Sequence, residues 1–184
     1  CYAGLEWFAG RADVFGFDPR RVLIGGPSAG GGLSVGTTLL ARDRGTPMPA
    51  AMLLMWPMLD DRNKTVSAQQ IDGVGIWDRT SNETGWTALL GDRRGTADVS
   101  LYAAPARATD LSGLPPAYIE AGSAEVFRDE AVALASGIWE AGGSAELHVW
   151  AGGFHGFQTI VPTAAVSQTA VQTRESWVRR VLAP

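Results

Sequence analysis

Apolar positions along this chain switch between two spacings, and the order of the switches predicts the fold class. From Tyr2 to Phe15, Leu5, Phe8, Ala12 and Phe15 recur three and four residues apart, which predicts a helix packed by one face. Gly16-Phe17-Asp18-Pro19 ends it and turns the chain. Val22 to Gly25 is a short aliphatic strand. A glycine-rich turn around Ser28 follows, then a helix to about Arg42 with Leu33, Leu40 and small residues on its buried face. After the loop Arg44-Gly45-Thr46-Pro47, residues 50–57 are apolar without alternation, as expected of a parallel strand covered on both faces.

From Asp60 to about Pro116 the sequence turns polar, with glycines and tryptophans. Thr80-Ser81-Asn82-Glu83 resembles a capping box, and Trp86, Leu89 and Leu90 form a short apolar stripe that stops at Gly91. This reads as a helical insertion at about 59–113, of the kind from which lids and substrate pockets are built. Leu114-Pro115-Pro116 leads into a strand from Ala117 to Gly122. A helix runs from about Arg128 to Ala141, with Ala131, Leu134, Ala135 and Ile138 on one face and Gly142 as its stop. The next strand, Ala145 to Trp150, alternates, with Ala145, Leu147 and Val149 facing one way and Glu146, His148 and Trp150 the other. The loop 151–157 precedes a last helix carrying Val166, Ala170, Thr173, Trp177 and Val181. Strands alternating with helices imply βαβ units, a mostly parallel sheet of about four strands flanked by helices, and an α/β fold.

Size and charge narrow the function. The 184 residues fit one domain, and 46% hydrophobic with 18% charged residues is ordinary for a globular protein. The net charge is −4, and all but Lys64 of the 15 basic residues are arginines scattered along the chain, without the basic patch that a nucleic-acid partner requires. The longest apolar run, Ala50 to Trp56, is too short to span a bilayer, and no signal peptide is visible, which makes cytoplasmic the expected location. One cysteine, Cys1, excludes an internal disulfide, and two histidines offer no zinc-ligand spacing, so no metal is expected. The chain runs from Cys1 straight into an amphipathic pattern, so a preceding segment, and hence a partial domain over 1–184, is expected.

The candidate chemistry centres on Gly26-Pro27-Ser28-Ala29-Gly30, a G-x-S-x-G pattern between a strand and a helix. Such a turn pushes the serine oxygen clear of the backbone, and Gly26 and Gly30 allow strand and helix to approach closely. The helix N-terminus aims free N–H groups at the space above Ser28, where the Ala29 N–H can stabilise an oxyanion. A serine nucleophile needs a base, and only His148 and His155 are available. His148 lies mid-strand and reads as structural. His155 lies in a loop past a strand end, between Gly153 and Gly156, at the carboxyl edge where parallel sheets gather ligands. The acid is expected after the intervening strand, where Glu125 is nearest the strand end. Asp129, Asp60 and Asp61 are the alternatives. The expected geometry puts His155 within hydrogen-bond reach of both Ser28 Oγ and a Glu125 oxygen.

Gly26-x-Ser28-Ala29-Gly30-Gly31, Leu114-Pro115-Pro116, Arg128-Asp129-Glu130 and Gly153-Phe154-His155-Gly156-Phe157 together resemble the hormone-sensitive-lipase-like, bacterial family IV esterases of the α/β-hydrolases. Met58-Leu59-Asp60-Asp61-Arg62 and Tyr102-Ala103-Ala104-Pro105 are similar to that group as well. The resemblance covers nearly the whole chain and implies hydrolysis of small or medium acyl esters without a cofactor. By the match Ser28 is the nucleophile, His155 the base, Glu125 the acid and Ala29 an oxyanion donor. Three features depart from the family pattern. Pro27 stands where the family often has an acid, Glu125 where aspartate is common, and no His-Gly-Gly motif occurs in the 27 residues before Ser28. Losing one oxyanion donor costs about 10²–10³ in turnover, so weak activity is expected of this chain alone. An unpaired edge on the Ser28 strand is expected to favour homo-oligomers. Two rival readings keep the same scaffold: an amidase, deacetylase or peptidase, or a binding protein that does not turn its ligand over.

Overall fold

The computed structural model describes residues 1–183. Its sheet holds four parallel strands in sequence order: β1 (Leu23–Pro27), β2 (Ala51–Met55), β3 (Ala117–Ala124) and β4 (Ala145–Phe154). The helices are α1 (Tyr2–Ala9), α2 (Ala12–Phe15), α3 (Ala29–Arg44), α4 (Val66–Gln70), α5 (Arg79–Leu90), α6 (Arg128–Glu140), α7 (Phe157–Ile160) and α8 (Ala165–Val181).

Strand alternation sorts the two faces. Met52, Leu54, Ala117, Ile119 and Ala121 point to one side and pack with Val35 and Leu39 of α3 and with Ala131, Leu134, Ala135 and Ile138 of α6. Ala51 and Tyr118 point to the other side and meet Trp177 of α8. Each fully buried aliphatic side chain contributes about 1.5–3 kcal/mol, so this two-sided burial dominates the stability of the sheet. A second apolar cluster forms in the segment between β2 and β3. Met58, Ala68, Trp86, Leu90, Val99 and Ala104 pack there against Val126 and Phe127, which follow β3. Glu130 of α6 fastens the segment after β2, since its buried carboxylate accepts the N–H groups of Leu59 and Asp60, each at 3.0 Å.

Several local expectations change. The N-terminal helix is two helices, because Gly10 closes α1 and the chain restarts at Ala12. Only Ala12 of its apolar face is buried. Phe8 and Phe15 are exposed and pack on neighbouring aromatic rings, with Phe8 stacked on Phe17 at 4.4 Å. Leu33 is half-exposed rather than buried, because small residues occupy the inner face of α3. Gly32 and Gly36 bring that helix so close to the Met58 and Tyr102 carbonyl oxygens that a Cβ would sit 2.1 Å from either. The cap of α5 is Asp78, whose Oδ1 accepts the Ser81 N–H at 2.8 Å, so Thr80 lies inside the helix. Leu89 points outward while Trp86 and Leu90 are buried. Finally, β4 runs on to Phe154 because it keeps pairing with β3 through an irregularity at Gly122/Ala124. Val149 is 41% exposed on this edge strand.

Candidate active site

β1 ends in the Ser28 turn, and Ser28 itself takes φ 54°, ψ −122° before α3 begins. A non-glycine residue in this region costs about 1–3 kcal/mol and persists only when its surroundings fix it. Here the fixing is done by backbone. Ser28 N–H donates to the Met55 carbonyl at 2.9 Å, and the Ser28 carbonyl accepts from Met58 N–H at 3.0 Å and Gly31 N–H at 3.0 Å. Gly26 is required because a Cβ there would lie 2.8 Å from the Gly30 carbonyl carbon. Ala29 opens α3, so its N–H belongs to the first turn, whose donors have no acceptor within the helix.

His155 follows β4 and Glu125 follows β3, and parallel pairing brings the two strand tips together. His155 Nδ1 bonds Glu125 Oε2 at 2.9 Å. Glu125 is almost wholly buried, and its other oxygen accepts the Gly122 N–H at 3.2 Å. Burial pushes the Glu125 carboxyl above its ordinary pKa, and the bonds from His155 and Gly122 oppose that rise without cancelling it. The imidazole is boxed by aromatic rings: Phe127 edge-on at 5.2 Å, Trp56 edge-on at 6.0 Å and Trp77 tilted at 6.4 Å. No hydrogen bond joins Ser28 Oγ to His155, so the second half of the expected geometry is not formed at bonding distance. Such contacts are often long without substrate and tighten when it binds.

The alternative acids are engaged elsewhere. Asp129 accepts the Ser67 N–H at 2.7 Å and pairs with Arg128 at 2.8 Å. Asp61 is held by Arg107 (2.6 and 2.9 Å) and by the Gly95 N–H, and Asp60 pairs with Arg62 at 2.7 Å. His148 bonds Glu146 at 3.0 Å and stacks on Trp150 at 5.3 Å, away from Ser28 and among the groups under α8. No cluster of three His, Cys, Asp or Glu among the described residues could hold a metal, and no helix among them is long and apolar enough to cross a membrane.

Beside Ser28 opens a cavity of about 320 Å³ lined by Ala29, Gly32, Leu33, Met58, Trp77, Gly85, Trp86, Leu89 and Ala103. No charged side chain lines it. The indole N–H groups of Trp77 and Trp86 are buried without an acceptor. Sequence reading placed a pocket in this insertion but did not single out Trp77 or Gly85, whose roles arise from contacts with α5 and His155 that no local pattern carries.

Comparison with known proteins fits this geometry. The sequence profile of the alpha/beta hydrolase fold family matches residues 1–159. An acetyl-hydrolase from Streptomyces hygroscopicus is 32% identical over 170 residues, covering 89% of this chain and 54% of that protein. Carboxylesterase NlhH from Mycobacterium tuberculosis is 32% identical over 169 residues, covering 89% of this chain and 53% of that protein. The chain thus spans about half the length of the curated relatives it matches. Among solved structures, a bacterial heroin esterase superposes with a TM-score of 0.96 at 42% identity, covering 100% of this chain and 59% of that one. Esterase LipW from Mycobacterium marinum superposes with a TM-score of 0.90 at 32% identity, covering 98% and 56%. Strand order, the Ser28 turn and the profile match over residues 1–159 agree, and the chain belongs to the alpha/beta hydrolase fold family.

Proposed function

We propose that the chain carries the nucleophile, base and acid of a carboxylic ester hydrolase acting on small to medium acyl esters. Ser28 Oγ attacks the ester carbonyl while His155 Nε2 takes its proton. Glu125, on Nδ1, orients the imidazole and stabilises the imidazolium that forms. The carbonyl oxygen becomes an oxyanion, toward which the Ala29 N–H donates. His155 then returns the proton to the leaving alcohol as the C–O bond breaks, leaving Ser28 acylated. Water, deprotonated by His155, attacks that ester, and His155 passes the proton to Ser28 Oγ as the acyl–oxygen bond breaks and the acid leaves. The observation that carries this reading is the His155–Glu125 bond of 2.9 Å at the same strand-tip edge as the left-handed Ser28 turn. The esterase and acetyl-hydrolase names of its relatives support the choice of substrate class.

The test is p-nitrophenyl butyrate hydrolysis by the chain and by its Ser28→Ala variant. The variant is expected to lose at least about 10³-fold in kcat/KM. Equal rates in the two proteins contradict the proposal.

A further inference from the structure

One wall of the cavity beside Ser28 is a close contact between Gly85 and Trp77. Gly85 lies within α5, where a glycine destabilises the helix relative to alanine. A Cβ at Gly85 would lie 3.3 Å from Cζ2 of Trp77 and 3.6 Å from Cε of Met58, both of which line the cavity. The Trp77 ring therefore rests on the bare backbone of α5, packs on the cluster that contains Met58 and Trp86, and lies tilted toward the His155 imidazole at 6.4 Å. The lining side chains are apolar or aromatic apart from Ser28, and they carry no charge. Leu33 and Leu89, both more than half exposed, add apolar surface at its margin.

We infer that Gly85 and Trp77 together determine substrate size at this site. Trp77 seated on Gly85 leaves room for the bulky, uncharged, aromatic or branched group of an ester. An anionic group is disfavoured because no cation is present to meet it. Adding bulk at position 85 lifts Trp77 into the cavity, whereas removing the indole opens it. This inference rests on the esterase reading for its substrate class, but the contact can be tested without turnover.

The experiment measures equilibrium binding of 2-naphthyl acetate and phenyl acetate to Ser28→Ala protein by ligand-observed NMR, with folding followed by circular dichroism. In that background Gly85→Val is expected to lower the preference for the naphthyl over the phenyl ester about tenfold, the scale of a methylene-sized change in an apolar pocket. Trp77→Ala is expected to move the preference the other way. If Gly85→Val does not fold, Trp77→Ala decides alone. A preference unchanged within twofold in every folded variant, or no binding of either ester, overturns the inference. Failure of the esterase reading would appear separately, as turnover indifferent to Ser28.

Discussion

The two flanks of the sheet hold the candidate site residues by different means. On the β3–β4 flank, Tyr118, Ile119, Glu120 and Phe127 are fully buried and Glu125 nearly so, with α6 and α8 covering the two faces. Even the charges there are enclosed. Glu120 accepts from Arg174 at 2.7 Å, Trp150 Nε1 at 3.0 Å and the Tyr118 hydroxyl at 3.2 Å, and burial still raises its pKa. On the β1 flank, Trp7, Phe8, Val14, Phe15 and Leu33 are all exposed, and β1 bonds only to β2 among the described residues. His155 and Glu125 sit on the dense flank and are fixed by packing. Ser28 sits on the thin flank and is fixed by backbone geometry and two close glycines.

This contrast can be broken from either side, and the largest expected effect is on the dense flank. Phe127→Ala removes a fully buried ring that touches both the insertion cluster and His155, and is expected to cost about 3–5 kcal/mol in urea unfolding. Activity should fall with it, since the His155 box loses a wall. Asp61→Asn should cost less, about 1–3 kcal/mol, because it replaces a charge-assisted bond to the partly exposed Arg107 with a neutral one at a wholly buried position. Burial opposes ionisation of Asp61, but Arg107 and the Gly95 N–H outweigh it and hold the carboxyl below its ordinary pKa. Its contribution is therefore present above the unfolded value of about 3.9 and is lost as pH falls through the lower folded value. Unfolding monitored between neutral and acidic pH should show that loss in the parent and not in Asp61→Asn.

On the thin flank, Gly26→Ala presses a methyl group against Gly30 and is expected to cost about 1–3 kcal/mol, with a disproportionate loss of kcat because the Ser28 turn must shift. Phe8→Ala, at a partly exposed ring stacked on Phe17, should cost no more than about 1.5 kcal/mol. A large penalty there would show that the β1 flank is held by side-chain packing after all.

The sequence was most readable where local rules and burial agree. The aliphatic run into Gly26, the apolar run at β2, and the helical spacing of Ala131, Leu134, Ala135 and Ile138 each specify one element, and the structure contains them. The β1–β2 and β3–β4 neighbours follow from short βαβ connections, whereas β2 and β3 pair across the long segment between Met55 and Ala117. What stayed hidden depends on neighbours. Leu33 turns outward because glycines take the inner face of α3. Asp78 displaces Thr80 as a cap because its carboxylate also gathers the Gly73 N–H at 3.0 Å. β4 outruns its expected end because β3 offers it partners past Trp150. At the candidate site, Ser28, His155 and Glu125 were legible as residue types at strand tips. The aromatic box of Trp56, Trp77 and Phe127 was not, because its members come from three separated segments that only the folded chain assembles.

The account turns on whether Ser28 is made nucleophilic by the His155–Glu125 pair. Brief exposure of the chain to a p-nitrophenyl alkylphosphonate, followed by peptide mass spectrometry, reads this directly. The expected result is a single adduct on Ser28 whose rate of formation drops at least about 10³-fold in His155→Ala and falls substantially in Glu125→Gln. Labelling of Ser28 at the same rate in all three proteins, or no adduct on Ser28 in the parent chain, would contradict it.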